Sequence, residues 1–505
     1  MNVLRYALIP MVPAVLGLMP AAAMAAPASC ESLATLALPN AKIDSAVSVP
    51  AGDLTLAGGR GGRGQTFKDL PAFCRVAATL KPTSDSDIKT EVWLPTTTWN
   101  GKFQAMGNGG WGGTISYPAM AEALRNGYAT TSTDDGHTGA GGQFIPGHWE
   151  KAVDFFWRAV HEMGIQGKAI TAAFYGNGPK LSYYNGCSYG GRQGLIEATR
   201  FPNDYDGIVA GDPANPRSAL QTYQLAVYNQ VHKNPAGVLP DDKVSILHKA
   251  VLNACDALDG VKDGLIENPK ACHFDPQTIV CKSADDKDCL SQAQVDTVKL
   301  IMTPAKVNGK VYHPAPMWGS ELGWKNFYSG VSEPEDLDNF TTIMFKDNPE
   351  WDYKTLTAEN GLPAAEKADV EESVTTTDLS KFTAHGGKII FYHGWADPGV
   401  SPQLTIDYYQ GVQKTTKNGA ESARLFIVPG MGHCRGGEGA TDNFDAAAAL
   451  DSWVTTGKPP VQMVASHMAN GKADRTRPLC AYPQVAKYKG SGSTDDAANF
   501  ACTAP

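Results

Sequence analysis

The chain has 505 residues, a formal net charge of −9 at pH 7 and ten cysteines. That length suits one large enzyme core with an insertion, or two domains. The acidic balance, with no run of Lys or Arg, excludes a nucleic-acid partner and favours a small or neutral one. No internal repeat or low-complexity tract is present.

Residues 1–26 read as a secretory signal peptide. Arg5 precedes an apolar run over 6–18, and Ala23-Met24-Ala25-Ala26 supplies the small residues of a cleavage site. The run is shorter than the roughly 20 residues a spanning helix needs, so a periplasmic or secreted protein without a membrane anchor is expected. Export gives the even cysteine count a meaning, because oxidising compartments preserve disulfides. No two cysteines have the C-x-x-C spacing of zinc sites. Spacing does not determine connectivity, but nearness in sequence suggests Cys30 with Cys74, Cys255 with Cys272, Cys281 with Cys289 and Cys480 with Cys502. Cys187 and Cys434 are then left for each other. No feature specifies an oligomeric state.

Short apolar, β-branched runs at 91–94, 103–106, 128–131, 181–185, 207–210, 388–392 and 424–428 alternate with helical stretches, the pattern of a mostly parallel sheet flanked by helices. Over 150–175 the spacing of Val153, Phe156, Trp157, Val160 and Met163 predicts one helix whose aromatic face is core. From 212 to 380 the alternation dissolves into a Pro-, Asp- and aromatic-rich region with four of the ten cysteines. An α/β fold follows, with 27–211 and 381–505 as the catalytic domain and 212–380 as a large inserted lid domain.

Gly186-Cys187-Ser188-Tyr189-Gly190 follows the strand at 181–185 and precedes a helix. This G-x-S-x-G pattern in a strand-turn-helix setting points to Ser188 as a nucleophile on a tight turn. Two backbone N–H groups should face the carbonyl oxygen as it gains charge. Tyr189 supplies one, and Gly110, in the loop Gly107-Asn108-Gly109-Gly110-Trp111-Gly112-Gly113 after the strand at 103–106, supplies the other. His433 follows the strand at 424–428 and adjoins Cys434; a Cys187–Cys434 bond would bring it beside Ser188. His137, His148 and His393 are its competitors. Asp397, in the loop after the strand at 388–392, is expected to orient the imidazole, with Asp407 as the alternative.

On Cys187-Ser188, Asp397 and His433-Cys434, with Trp99-Asn100-Gly101 and Arg477-Pro478-Leu479-Cys480, the chain resembles the tannase and feruloyl esterase family. The resemblance implies an α/β-hydrolase fold with a lid over the site and a serine esterase acting on small aromatic esters. Its substrates would be esters of hydroxycinnamic or related phenolic acids, with gallate esters or mono(2-hydroxyethyl) terephthalate as alternatives. A non-catalytic binding protein on the same core is the distant rival. The resemblance also implies a structural Ca²⁺ held by Asp256, Asp259 and Asp263 with the carbonyls of Val261 and Leu265, donors that suit a hard cation. Distance in sequence from the catalytic residues gives it a structural role. No organic cofactor is expected. The lid aromatics Trp318, Trp324, Phe327, Tyr328, Phe345, Trp351 and Tyr353 are candidates for stacking on an acyl group, most of them as lid core. No arginine occurs from Ser218 to Ala423, which leaves Lys325, Lys346 or Lys354 to meet a substrate carboxylate.

Overall fold

In the computed structural model, residues 28–56, 64–283, 286–334 and 336–505 are described; the expected signal peptide lies outside them. Nine strands form one sheet. They are β1 (Ala41–Val49), β2 (Phe73–Leu80), β3 (Ile88–Pro95), β4 (Lys102–Met106), β5 (Ala129–Thr133), β6 (Leu181–Cys187), β7 (Gly207–Gly211), β8 (Lys388–Gly394) and β9 (Ala423–Val428). Their order across the sheet is β1-β2-β3-β5-β4-β6-β7-β8-β9. The pairs from β1 to β5 are antiparallel, and all pairs from β5 to β9 are parallel.

Neighbouring residues on the central strands belong to opposite cores. Tyr184, Ile208 and Ile389 pack into one apolar cluster, whereas Tyr183, Val209 and Ile390 pack into the other. This is the two-residue alternation of a sheet covered on both faces, and it explains why these strands read as unbroken apolar runs. The helix Ala159–Tyr175 covers one face through Val160 and Met163; the helix Ala446–Thr456 covers the other through Leu450 and Trp453.

Two departures from the sequence reading have physical causes. Strands β1 and β2 lie outside the expected set; β1 is a largely exposed edge strand whose register shifts between Ile43 and Ser45, which erases the alternation, whereas β2 is largely buried. The helix expected over 150–175 is divided by a π-helical turn, Asp154–Arg158. The wider turn rotates the face and buries Phe155 as fully as Phe156, while Trp157 is only half-buried.

Between β7 and β8 the chain forms the helices Arg217–His232, Asp241–Cys255, Gln292–Ile301 and Ala358–Glu372, three of them around a separate apolar cluster that includes Leu247, Val295 and Trp324. Buried Arg217 fastens this region to the core. Its guanidinium donates to Glu372 at 2.5 Å and Asn339 at 2.9 Å, and lies 4.0 Å from the Trp111 ring centroid. Disulfides join Cys30 to Cys74, Cys187 to Cys434, Cys255 to Cys272, Cys281 to Cys289 and Cys480 to Cys502.

Phe103 on β4 is fully buried against Gly167, below the glycine loop that β4 leads into. Phe103→Ala should cost about 3–5 kcal/mol of stability. Urea unfolding followed by circular dichroism checks this.

Candidate active site

Three loops at the C-terminal edge of the parallel strands converge on one point. Strand β6 ends at Cys187, and Ser188 turns the chain sharply with φ 62° and ψ −122° into the helix Tyr189–Arg200. The flanking glycines are required sterically. A Cβ on Gly186 would lie 2.6 Å from the Gly190 backbone, and one on Gly190 would lie 2.8 Å from the Asn108 carbonyl oxygen.

The loop after β8 carries Asp397 and the loop after β9 carries His433. They are tied together by the Trp395 amide donating to the Val428 carbonyl and the Ala396 amide to that of Met431. Asp397 is fully buried; its Oδ1 accepts the amides of Gly399 at 2.9 Å and Val400 at 2.8 Å. Its Oδ2 lies 2.6 Å from His433 Nδ1, and His433 Nε2 lies 2.7 Å from Ser188 Oγ. With Nδ1–H donating to the carboxylate, Nε2 is left to accept the serine proton. The Cys187–Cys434 bond, with Cα atoms 6.0 Å apart, spans the two loops one residue from each side chain.

Beside Ser188, the N–H groups of Gly109, Gly110 and Tyr189 donate to no acceptor among the described residues. The glycine loop is held by Asn108, whose amide donates to Gln193 Oε1 and whose carbonyl accepts the Gly190 amide at 2.7 Å. Gln193 is held in turn, donating to Asp135 and accepting from the Tyr184 hydroxyl. The amides of Gly109, Gly110 and Tyr189 are thus left without an acceptor among the described residues, on a loop fastened to the start of the helix that follows Ser188.

The competing residues lie elsewhere. His137 is buried and stacked 3.7 Å from the Phe144 ring, and burial lowers its pKa to about 4. His148 lies 2.8 Å from Asp85. Asp407 is exposed and accepts from Gln403. His393 is fully buried beside the site, with Nε2 2.8 Å from the Val400 carbonyl and 3.3 Å from Asp397 Oδ2. Because that nitrogen faces only acceptors, it carries the proton.

Asp212, the first residue of the expected lid, belongs to the site by its side chain. Its backbone leaves the sheet, but its side chain is fully buried in the site, with Oδ1 accepting the Gly394 amide at 3.1 Å. A carboxylate directly after a parallel strand is the signal that could have found it, since such strand ends present functional groups.

Electrostatically the site is a buried cluster of charge. Burial raises the Asp397 pKa, but His433 and His393 outweigh it and hold the carboxyl well below its usual range. Burial likewise opposes protonation of His433, yet the carboxylates of Asp397 and Asp212 raise its pKa to about 9. About 34% of the His433 side chain remains exposed, so solvent screens part of this attraction.

A cavity of about 330 Å³ opens beside His433, walled by Trp318 and Phe327 of the lid, Trp395 of the aspartate loop, and Leu265 and Ile266. Among the described residues no Lys or Arg lines it. Of the seven lid aromatics, only Trp318 and Phe327 reach it. Trp324 and Tyr328 are lid core, and Phe345 stacks on Trp351 at 4.8 Å. Trp395 was missed because it lies outside the lid. A larger cavity of about 790 Å³ lies on the other side of Phe327 and contains Lys325 but none of Ser188, Asp397 and His433.

The acidic loop comes close to this site in space. Leu265 rests on Gly430 of the histidine loop, although the two are far apart in sequence. Asp256 is buried and accepts the amides of Asp263 and Gly264; Asp259 accepts that of Val261, and Asp263 that of Leu265. Burial together with Asp263 and Asp256 raises the Asp259 pKa to about 6. Among the described residues no backbone donor reaches the carbonyls of Val261 and Leu265. Asp263 Oδ2 is paired with the buried Arg477 guanidinium, and the three carboxylates do not gather within 4.8 Å of one another; the remaining carboxylate oxygens and the unpaired carbonyls are donors of the type a hard cation takes.

The family model described as "Tannase and feruloyl esterase" matches residues 74–503. An uncharacterized esterase of Xanthomonas campestris pv. campestris is 34% identical, over 94% of this chain and 91% of its own length. A probable feruloyl esterase B-2 of Aspergillus terreus is 34% identical, over 94% and 95% respectively. The crystal structure of feruloyl esterase B from Aspergillus oryzae superposes with a TM-score of 0.87 at 31% identity, covering 94% of this chain and 99% of that one.

The direction of the His433 shift has a consequence for stability. A histidine whose pKa rises on folding binds its proton more tightly in the folded protein, so its contribution is complete below pH 6.5 and is lost as pH climbs towards about 9. The melting temperature of the wild type should therefore fall more steeply from pH 6.5 to 9 than that of His433→Gln. Differential scanning calorimetry across that range measures the difference.

Proposed function

The chain belongs to the tannase and feruloyl esterase family and is a carboxylic-ester hydrolase with an α/β-hydrolase fold; on that premise we propose that it cleaves esters of hydroxycinnamic and related phenolic acids through an acyl-enzyme on Ser188. The observation that supports this reading is the unbroken chain from Ser188 Oγ through His433 to Asp397, beside a cavity walled by Trp318, Phe327 and Trp395.

In the proposed mechanism His433 Nε2 takes the Ser188 proton as Oγ attacks the ester carbonyl. Asp397 keeps the proton on Nδ1 and stabilises the imidazolium. The amides of Tyr189 and Gly110 hold the oxyanion. His433 then returns the proton to the leaving alcohol, and a water activated by the same nitrogen releases the acid.

Aromatic walls favour a phenolic acyl or alcohol group by stacking, and the scarcity of cations disfavours a substrate with a free carboxylate. Lys325 pairs with Asp241 and Lys346 with Asp347, while Lys354 lies near the Tyr353 ring, so none is directed into the cavity. Ferulate esters are thus preferred over terephthalate monoesters, with gallate esters the second reading through the family. The five disulfides suit an exported protein, and among the described residues no helix is long and apolar enough to cross a membrane.

We further propose that Asp256, Asp259 and Asp263 with the carbonyls of Val261 and Leu265 hold a Ca²⁺ that stiffens the lid next to the histidine loop. When bound it supplies charge neutralisation to the carboxylates and takes no part in ester cleavage.

Ser188→Ala should lower turnover of methyl ferulate by about 10⁴-fold or more while keeping the wild-type circular dichroism. Rates on methyl ferulate, methyl gallate and mono(2-hydroxyethyl) terephthalate should fall in that order. A reversed order would overturn the substrate reading. Elemental analysis should find calcium in the purified protein, and chelation should lower its melting temperature by a few degrees or more.

A further inference from the structure

Asp212 stands outside the Ser188, His433 and Asp397 chain, yet no part of its side chain is exposed and it lies against all three loops. It follows β7 at φ 36°, its amide donates to the Tyr392 carbonyl at 2.8 Å, and its Oδ1 lies 3.6 Å from His393 Nε2. Its Oδ2 faces Cys187 Sγ at 3.5 Å. That sulfur is bonded to Cys434 and has no proton to give, so Oδ2 has no donor among the described residues. Carboxylate oxygens of Asp212 and Asp397 and a ring nitrogen of His433 lie within 4.8 Å of one another.

A buried carboxylate with one unsatisfied oxygen is costly unless a cation comes beside it. His433 becomes that cation whenever it takes a proton. We propose that Asp212 is a second acid of the site, a positioning residue that favours the imidazolium of His433 from the side of the Cys187–Cys434 bridge, with His393, whose Nε2–H donates to the Val400 carbonyl, close to both carboxylates. The proposal rests on the reading of His433 as the base.

The surroundings agree. Burial raises the Asp212 pKa to about 6, with His393 opposing and Asp397 adding to the rise, so the group is charged at neutral pH and loses its charge in mild acid. The other titratable groups facing the pair are Tyr392 and Tyr328, both kept protonated by burial, and Arg435 and Glu438 on the histidine's own loop, with His248 across the cavity. Among these, Asp212 and Asp397 are the carboxylates within 4.8 Å of the His433 ring.

The test is the pH profile of kcat/KM for methyl ferulate in the wild type and in Asp212→Asn, which keeps the volume and the acceptor for the Gly394 amide. The acid limb of the variant should move to lower pH by about one unit, the change expected when an opposite charge at this distance is removed. Plateau kcat should fall by up to roughly tenfold, and KM should hold, since Asp212 does not line the cavity. A folded variant whose limb coincides with that of the wild type would overturn the proposal; a purely structural residue would alter the melting temperature alone. Should the variant not fold, the wild-type limb decides. Loss of the Asp212 charge on acidification makes His433 less basic, so the limb should be shallower than a single ionisation, and a slope of one throughout would reject the idea. Labelling of the wild type at Ser188 by a fluorophosphonate separates failure of this proposal from failure of the serine mechanism.

Discussion

The covalent bond between Cys187 and Cys434 is the constraint on which the site depends. It joins two backbone segments 247 residues apart, one residue from Ser188 and one from His433. Closing a loop of that length removes roughly 5 kcal/mol of chain entropy from the unfolded state in the entropic model. Its position matters more than its magnitude. Ser188 and Cys434 both have positive φ, of 62° and 65°, so each loop adopts a conformation that side chains resist, and the bond holds the two against each other. A hydrogen bond of 2.7 Å between Ser188 and His433 needs that rigidity, because small errors in the relative placement of two loops would break it.

Around this bond the sheet and the lid divide the work. Parallel strands with both faces covered form a rigid platform, and their C-terminal ends deliver serine, aspartate and histidine from three separate loops. The lid has its own apolar core and adds the walls through Trp318 and Phe327. Its attachment through Arg217, Glu372 and Asn339 is polar and buried, the kind of network that specifies one docking arrangement when every member is satisfied. The acidic loop touches the histidine loop through Leu265, so a cation held there would act on the rigidity of the site as well as on the lid.

The polar interior behind His433 is more elaborate than a serine, a histidine and one acid. Asp212, Asp397, His393 and His433 share a space that includes the disulfide and excludes most solvent. In such a medium each charge is worth more than in water, and the protonation state of one group sets that of its neighbours. The glycine loop after β4 is organised in the same way, through Asn108, Gln193 and Asp135 behind it.

The strands from β3 to β9, the G-x-S-x-G turn, and the residues Ser188, Asp397 and His433 were legible in the chain because each is a local pattern: a buried strand is an apolar run, and a strained turn needs small neighbours. Where locality fails, so does the reading. The edge strand β1 has no clean alternation, the π turn at Asp154–Arg158 shifts a helical face by one residue, and Trp318 looks no different from Trp324 until the lid is folded. Asp212 is the sharpest case, for as a sequence element it opens the lid, yet as a side chain it belongs to the site. Residue type and local spacing mark out a candidate set for ester cleavage. Which carboxylates, aromatics and histidines share a cavity follows from the folded arrangement, because burial and electrostatic coupling depend on distances between segments that the chain keeps hundreds of residues apart.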